Sequence, residues 1–319
     1  MKALTFSKFG GPEVLEYIET ENPKISEHEV LVKMEAIGLN YADIYRRKGN
    51  YHLKGNPPFI AGYEGAGIVV ESNSTKAKAG DRVAFADVPF ANAEFVRVPE
   101  EHIIPISEDI SFDLAASVLL QGLTAQYLSE DSFKVKENDV VLIHAAAGGV
   151  GQILTQICKM KGAKVIGLTR DESKLLIIKN NKADFALQLN SDWTQKVMEI
   201  TSGKGVDGVF DSVGSTLMQS FEVTRECGTV VFYGMSGGDP ELINPRMLMD
   251  TSKTLTGGDL WSYLNSPEER IRRSKQLFEW ITEGKIVIQE PIKFKLSEGK
   301  KAHEYLESGK SSSKVLLIP

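Results

Sequence analysis

Cysteine is nearly missing from this chain. Cys158 and Cys227 are the only two in 319 residues, which excludes a disulfide framework and a cysteine-built metal site. Both read as small core residues, Cys158 on the apolar face of a helix and Cys227 just ahead of a buried strand. Histidine is sparse too, with five in all. His28, His52, His102 and His303 fall at no metal-ligand spacing, and His144 reads as a satisfied core histidine at a strand end. No apolar run approaches the length of a membrane span. Met1-Lys2-Ala3-Leu4-Thr5 leads into a strand-like segment rather than a signal peptide, so a cytoplasmic location is expected. A surplus of positive charge is also lacking. The net charge of −6 offers no basic footprint for a phosphate backbone, and no nucleic-acid partner is expected. The basic run Glu269-Arg270-Ile271-Arg272-Arg273 reads as a solvated helix face. What remains, 42% hydrophobic and 25% charged, is an ordinary globular composition, and the length suggests about two domains.

Among the features present, the stretch from Val140 to Gly162 carries the most information. Val140-Val141-Leu142-Ile143-His144 is a short apolar run of the buried parallel-strand type. Ala145-Ala146-Ala147-Gly148-Gly149-Val150-Gly151 follows, and apolar residues then recur at Val150, Ile153, Leu154, Ile157 and Cys158 on one helix face. Lys159, Lys161 and Gly162 close the helix. The turn fits the dinucleotide fingerprint with Ala146 at the first glycine position, then Gly148 and Gly151. A small residue permits the tight turn, Gly148 permits close approach of a phosphate, and Gly151 lets the helix pack on the strand. Unpaired N–H groups and the positive dipole end at the helix start would receive a pyrophosphate.

From Val140 to Thr256 strands and helices alternate. Strand candidates are Val140–His144, Lys164–Leu168, Phe185–Leu189, Gly208–Asp211, Thr229–Tyr233 and Lys253–Thr256, with helices such as Ser173–Asn180 and Thr194–Thr201 between them. This pattern predicts an α/β fold with a doubly wound parallel sheet of the Rossmann kind. The chain before it reads as a strand-rich, barrel-like module, with short strands at Glu29–Met34, Gly67–Val70, Asp81–Phe85 and Ala93–Val98. After Thr256 come a polar helix over Pro267–Glu283, a stretch Ile286–Lys295, an amphipathic Gly299–Leu306 and a last strand at Lys314–Ile318. That tail is too short for a domain and is expected to return to the first module. The expected division is 1–121, 122–258 and 259–319.

Several ordered motifs resemble the medium-chain dehydrogenase/reductase superfamily, and within it the zinc-independent quinone oxidoreductases related to zeta-crystallin. They are Gly10-Gly11-Pro12-Glu13-Val14-Leu15, Gly38-Leu39-Asn40-Tyr41-Ala42-Asp43, Gly62-Tyr63-Glu64-Gly65-Ala66-Gly67, Gly80-Asp81-Arg82-Val83 and Gln121-Gly122-Leu123-Thr124-Ala125. The glycine turn, Asp211-Ser212-Val213-Gly214 and Ala302-His303-Glu304-Tyr305-Leu306-Glu307 complete the set. The resemblance implies a GroES-like barrel domain completed by the C-terminus, a Rossmann domain, and an active site in the cleft between them. Zinc members of the superfamily place a Cys, a His and a Cys where this chain has Asn40, Tyr63 and Leu120. Glu64 alone could not hold zinc tetrahedrally. The chemistry implied is hydride transfer from a reduced nicotinamide to an acceptor that is already electrophilic.

On that resemblance the acceptor-side candidates are Asn40, Tyr45 and Tyr51, which supply hydrogen bonds and flat surfaces for a ring-shaped acceptor. Plain loop packing is the alternative for both tyrosines, and Asp43 reads as a structural hydrogen bonder of its loop. Cofactor-side candidates are Thr124, Tyr127, Ala146, Gly148, Gly149, Val150, Gly151, Arg170, Lys174, Ser212, Val213 and Gly234. For Tyr127 and Trp261 the alternative is packing where the domains join. NADPH is the expected cofactor, because Arg170 and Lys174 follow the second Rossmann strand where relatives bind the 2′-phosphate. Asp171 there could instead serve NADH, but its place just before a helix suits N-capping. Leu189 stands where a tyrosine often adds a phosphate contact. The expected activity is NADPH-dependent quinone reduction. Reduction of activated C=C bonds in enones or alkenals is the close alternative, and a structural or RNA-binding crystallin-like role is the alternative of another class. A homo-oligomer built through the Rossmann domain is expected, from apolar Val230–Tyr233 and Met247–Met249 toward one sheet edge.

Overall fold

Alternation of apolar and polar residues runs through the first third of the chain, and strands form where it does. The computed structural model describes residues 1–319. In chain order they form β1 (Lys2–Phe6), β2 (Glu16–Glu19), β3 (Glu29–Leu39), α1 (Tyr41–Lys48), β4 (Phe59–Ile60), β5 (Glu64–Ser72), β6 (Arg82–Phe85), β7 (Phe95–Pro99) and β8 (Ile104–Pro105). Then come α2 (Phe112–Tyr127), β9 (Val140–Ile143), α3 (Gly149–Met160), β10 (Lys164–Thr169), α4 (Leu175–Asn180), β11 (Phe185–Gln188) and α5 (Trp193–Ile200). Next are β12 (Val206–Asp211), α6 (Leu217–Val223), β13 (Thr224–Phe232), α7 (Pro245–Thr251) and β14 (Thr254–Gly257). The chain closes with α8 (Leu260–Tyr263), α9 (Pro267–Thr282), β15 (Ile292–Lys295), α10 (Gly299–Glu307) and β16 (Val315–Ile318). No helix is long and apolar enough to cross a membrane.

These elements group into two units. One comprises Met1–Leu120, Leu264–Glu279 and Gln289–Pro319, the other Gln121–Tyr263 and Trp280–Ile288. Apart from a one-residue shift at Gln121, this differs from the sequence-based division in two places, each with a local cause. Tyr263 stays with the second unit because its ring stacks on Tyr127, centroids 4.4 Å apart. The 280–288 segment stays there because Gln156 on α3 bonds both backbone groups of Val287, at 2.8 and 3.1 Å.

In the first unit the main sheet runs β15-β16-β3-β5-β6-β8 with β7 also paired to β3, while β2-β1-β4 form a smaller sheet. Val30, Val32, Ile37, Val69, Phe85, Val98, Val315 and Leu317 fill its core. The antiparallel register of β16 on β3 sets Val315 opposite Leu39. The C-terminal strand thereby delivers Lys314 to the end of β3, beside Asn40. In the second unit six parallel strands lie in the order β11-β10-β9-β12-β13-β14. That is the doubly wound order, with the topological switch between β9 and β12. Ile143 lies level with Gly167 and Phe210, so His144 and Asp211 emerge side by side at the carboxyl edge.

Two sequence expectations need correction. The run at 269–273 is not a uniformly solvated face. Arg270 and Arg273 are buried, because they share with Ser274 and Leu277 the inward side of α9. Arg270 reaches Asp87 Oδ2 at 2.5 Å and Leu264 O at 3.0 Å, whereas Arg272 and Ile271 face solvent. Cys227 is exposed, not core. It takes a left-handed φ of 58° within β13, in the irregular stretch between Thr224 and Thr229 where pairing with β12 is interrupted and Glu226 and Cys227 are exposed. Cys158 is buried as expected, and burial pushes its thiol up to about 12.

Candidate active site

In the second unit, β9 ends in a turn whose shape follows from small residues. Ala145 takes a left-handed φ of 48°, and its N–H neighbours close the turn through Gly148 N to Ala145 O at 2.8 Å. Helix α3 starts at Gly149, and Gln152 N makes its first bond back to Gly148 O at 2.9 Å. The N–H groups of the first turn are thus left for a ligand, at the positive end of a 12-residue helix. The glycines divide by what surrounds them. A Cβ on Gly151 would lie 2.7 Å from Ala146 Cα and closer still to Ala145 O, so this glycine is required for α3 to pack on the turn. A Cβ on Gly149 would run into the Gln121 side chain. Gly148 is exposed, and its nearest neighbour would be Ala145 O at 3.1 Å, so its outer face is open to a phosphate. Ala146 is buried, and Val150 is half-buried.

Beyond β10, Arg170 is exposed and Lys174 is half-buried. Asp171 accepts from Ser173 N at 3.0 Å and Ser173 Oγ at 2.8 Å, capping the short turn Glu172–Lys174. Those bonds hold its carboxyl below the usual range. Partial burial lowers the Lys174 ammonium against the pull of Asp171.

At the end of β12, Asp211 is fully buried and organises the next loop. Its Oδ1 accepts from Val213 N at 2.8 Å and Gly214 N at 3.0 Å; its Oδ2 accepts from Thr216 Oγ1 at 2.8 Å and Ser220 Oγ at 2.7 Å. Because Ser220 gives its proton to Asp211, its oxygen accepts from His144 Nε2 at 2.9 Å. His144 is therefore a neutral core group, lowered by burial and packed edge-on to Trp193. A Ser, a His and an Asp meet here, but the hydroxyl points at the carboxylate and nothing is exposed, so this is no nucleophilic triad. Ser212 and Val213 form the half-buried outer edge of the loop, and Gly234 lies against Ser212. Thr124 is buried in α2. Tyr127 is 1% exposed, with its ring stacked on Tyr263 and pressed by Gly258, so its visible role is packing.

In the first unit, α1 begins where β3 ends. The Asp43 carboxylate reaches back to Asn40 N at 2.9 Å, fixing the first turn. Gly49, at φ 82°, closes the last turn and sends the chain toward Tyr51. Tyr41, Tyr45 and Tyr51 form an edge-to-face series with ring centroids 5.3 and 6.2 Å apart. Asn40 is 3% exposed. Its Nδ2 donates to Glu64 Oε2 at 2.7 Å and Gly38 O at 3.3 Å, and its Oδ1 accepts from Lys314 Nζ at 2.7 Å. Lys314 also contacts Glu64 Oε2 at 2.6 Å, and Glu64 Oε1 accepts from Leu120 N at 2.7 Å.

The carboxamide of Asn40 is thus held by partners inside its own unit, and a bond from it to an acceptor oxygen competes with them. The ammonium of Lys314 is buried and paired with the Glu64 carboxylate, so the charges at this place balance within the unit. Sequence reasoning missed Lys314, whose one signal is a lone lysine leading into the apolar Val315–Ile318. The residues at the positions of the zinc ligands do not fit that metal. They offer a carboxamide, a phenol, a backbone N–H at Leu120 and a carboxylate already paired with an ammonium, where zinc takes thiolate and imidazole. No group of three or more His, Cys, Asp or Glu is arranged to hold a metal elsewhere. Asp43, as expected, is structural; burial pushes its carboxyl up against the opposing pull of Arg46.

Comparison with known proteins finds similarity along the whole chain. Residues 26–131 match the alcohol dehydrogenase GroES-like domain, and residues 149–279 match the zinc-binding dehydrogenase family. The chain is 35% identical to a quinone oxidoreductase of Pseudomonas aeruginosa, over 100% of this chain and 99% of that protein. It is 33% identical to the 2-haloacrylate reductase of a Burkholderia species, over 99% and 98%. The crystal structure of an Escherichia coli quinone oxidoreductase complexed with NADPH superposes with a TM-score of 0.96 at 34% identity, covering 100% of both chains.

Proposed function

Because the chain belongs to the quinone oxidoreductases of the medium-chain dehydrogenase/reductase superfamily, we propose that it reduces quinones with NADPH. NADPH, when bound, supplies the hydride. The chain's own residues bind, orient and neutralise charge. The first-turn amides of α3, the open face of Gly148 and the Ser212–Val213 edge suit a dinucleotide, with Ala146, Gly149 and Gly151 shaping the turn. Thr124, Val150 and Gly234 belong to the same cofactor side. Arg170 and Lys174 suit a 2′-phosphate, since Asp171 is committed to Ser173.

The observation that carries the reading is the series of tyrosine rings that runs from Tyr41, next to Asn40 in the chain, through Tyr45 to Tyr51. Flat rings suit a planar acceptor, and phenol donors suit an oxygen that gains negative charge. With no donor set for zinc, the acceptor has to be electrophilic without a Lewis acid, as quinones are. Cytoplasmic action and a homo-oligomer belong to the same reading.

A second reading, reduction of an activated C=C bond, is favoured by the likeness to a 2-haloacrylate reductase. Steady-state NADPH oxidation with a panel of quinones, enones and 2-haloacrylates separates the two, and inertness toward every acceptor would refute both. Cofactor choice has its own test. Arg170→Ala with Lys174→Ala should raise the KM for NADPH about tenfold or more while sparing NADH, as expected when charge-assisted hydrogen bonds to the 2′-phosphate are lost. Equal effects on both cofactors would count against it.

A further inference from the structure

Helix α1 carries two adjacent arginines, and both are buried. Arg47 serves packing: it bonds Glu307 Oε2 at 2.5 Å, Gly10 O at 3.2 Å and His303 Nδ1 at 3.2 Å. Arg46 sits among different groups. Its guanidinium carbon lies 3.5 Å from the centre of the Tyr63 ring and 5.1 Å from that of Tyr51. Nε donates to His52 O at 3.0 Å and Nη1 to Asp43 Oδ1 at 3.1 Å. The second oxygen of Asp43 holds Asn40 N, so one pair of side chains touches both Asn40 and the Tyr51 segment.

Between Gly49 and Phe59 the chain has neither helix nor strand. Its backbone is not fixed by a ladder, so side chains must place Tyr51. Arg46 grips the segment at His52, and Tyr63 touches it two residues on, at the Lys54 backbone. Burial pushes the Tyr63 phenol up, so it stays neutral and keeps the ring face that a cation prefers. Asp43 balances the charge of Arg46, which leaves the guanidinium acting as a rigid planar fork rather than as net charge. A lysine cannot reproduce that fork.

We propose that Arg46, stacked on Tyr63 and forked onto Asp43 and the His52 carbonyl, is the positioning residue that sets the Tyr51 hydroxyl for acceptor reduction. The inference rests on the reading of Tyr51 as an acceptor-side donor. It makes the Arg46–Tyr63 stack, at the position where zinc members of the superfamily carry a ligand, an ordering device for this segment that needs no metal.

The test is a double-mutant cycle with a second, non-kinetic readout. Arg46→Met should lower kcat for quinone reduction by on the order of 10–10²-fold, the scale of a ~1 Å misplacement. It should leave the Kd for NADPH unchanged and speed hydrogen exchange in peptides spanning residues 50–56. Arg46→Met combined with Tyr51→Phe should be no slower than Tyr51→Phe alone, because both changes remove the same placed hydroxyl. Arg46→Lys should recover little, and Tyr63→Leu should reproduce the exchange change; these two carry the comparison if Arg46→Met does not fold. Losses that multiply in the double variant, or unchanged exchange at 50–56, would overturn the proposal. A wild-type rate in Tyr51→Phe would remove the Tyr51 reading and this role with it. A defect in Tyr51→Phe beside a wild-type Arg46→Met would overturn the Arg46 role alone.

Discussion

Tyr51 and Asn40 differ in what they can lose. A quinone accepts hydride readily, and the quinol oxygen that develops charge can take its proton from water, so catalysis is mostly positioning. Removing one hydrogen-bond donor should then cost at most about 10²–10³ in kcat. Tyr51→Phe and Asn40→Ala should each leave measurable quinone reduction, and Tyr51→Phe should harm any enone reduction more, since a carbon must then be protonated. Complete loss of quinone turnover in a folded, NADPH-binding Tyr51→Phe protein would instead mark an obligatory acid. Asn40→Ala has a second consequence, because it strips Lys314 and Glu64 of a shared partner. Leaving those buried groups short of a hydrogen bond should lower stability by about 1–3 kcal/mol, read by urea unfolding.

His303 makes a different residue-scale prediction. Burial, with Arg47 alongside, pushes its imidazole down to about 3. An unfolded histidine titrates near ~6.5. Between those values the unfolded chain takes a proton that the folded chain refuses, so stability falls as pH drops from ~6.5. His144, also lowered by burial, works in the same direction, while the raised carboxyl of Asp43 opposes it. Each such histidine contributes up to about 1.4 kcal/mol per pH unit in that window. His303→Gln should flatten the pH dependence of the unfolding free energy between pH ~6.5 and ~4.5. An unchanged slope would mean that His303 is not the group responsible.

For the elements, the turn between β9 and α3 is the sensitive place. Gly151→Ala puts a methyl against the Ala145 and Ala146 backbone, which cannot swing aside like a side chain end. We expect it to cost about 1–3 kcal/mol as overpacking and to weaken NADPH binding by shifting the start of α3. Gly148→Ala meets only Ala145 O, at 3.1 Å, so it should fold nearly as well and act chiefly on the cofactor. Thermal melts with and without NADPH distinguish the two. A Gly151→Ala protein as stable as wild type would contradict the packing described for this turn. At β3 and β16 the same logic is one of register: the pairing of Val315 with Leu39 is what sets Lys314 at Asn40.

At the scale of the whole molecule, β14 is the outermost strand of the parallel sheet, with β13 as its sole neighbour. In the segment that leads into it, Leu242 and Met249 are 100% and 70% exposed. An open edge beside exposed apolar side chains is safer covered by a second copy. Sedimentation at micromolar concentration should therefore show a species larger than the 35.1 kDa chain, and a purely monomeric protein would refute a dimer. The purified enzyme should also keep its full turnover after dialysis against a chelator. Stoichiometric zinc with loss of activity on its removal would show that the carboxamide, phenol and ion-paired carboxylate had been misjudged as ligands.

Periodicity and turn chemistry were enough to read the six parallel strands and the glycine turn, because a strand or helix is set by residues a few positions apart. The capping job of Asp171 was legible for the same reason, its partner lying two residues on. Partners far away in the chain were not legible. Lys314 meets Asn40 across 274 positions, and Arg270 meets Asp87 across 183. A charged side chain looks solvated until folding brings it a counter-charge, and only then is its burial tolerable. Hence Arg270 and Arg273 read as surface, Arg46 drew no notice, and Asn40 looked open to substrate. The local chain specified the two kinds of sheet; which ionic groups they enclose was decided by tertiary pairing.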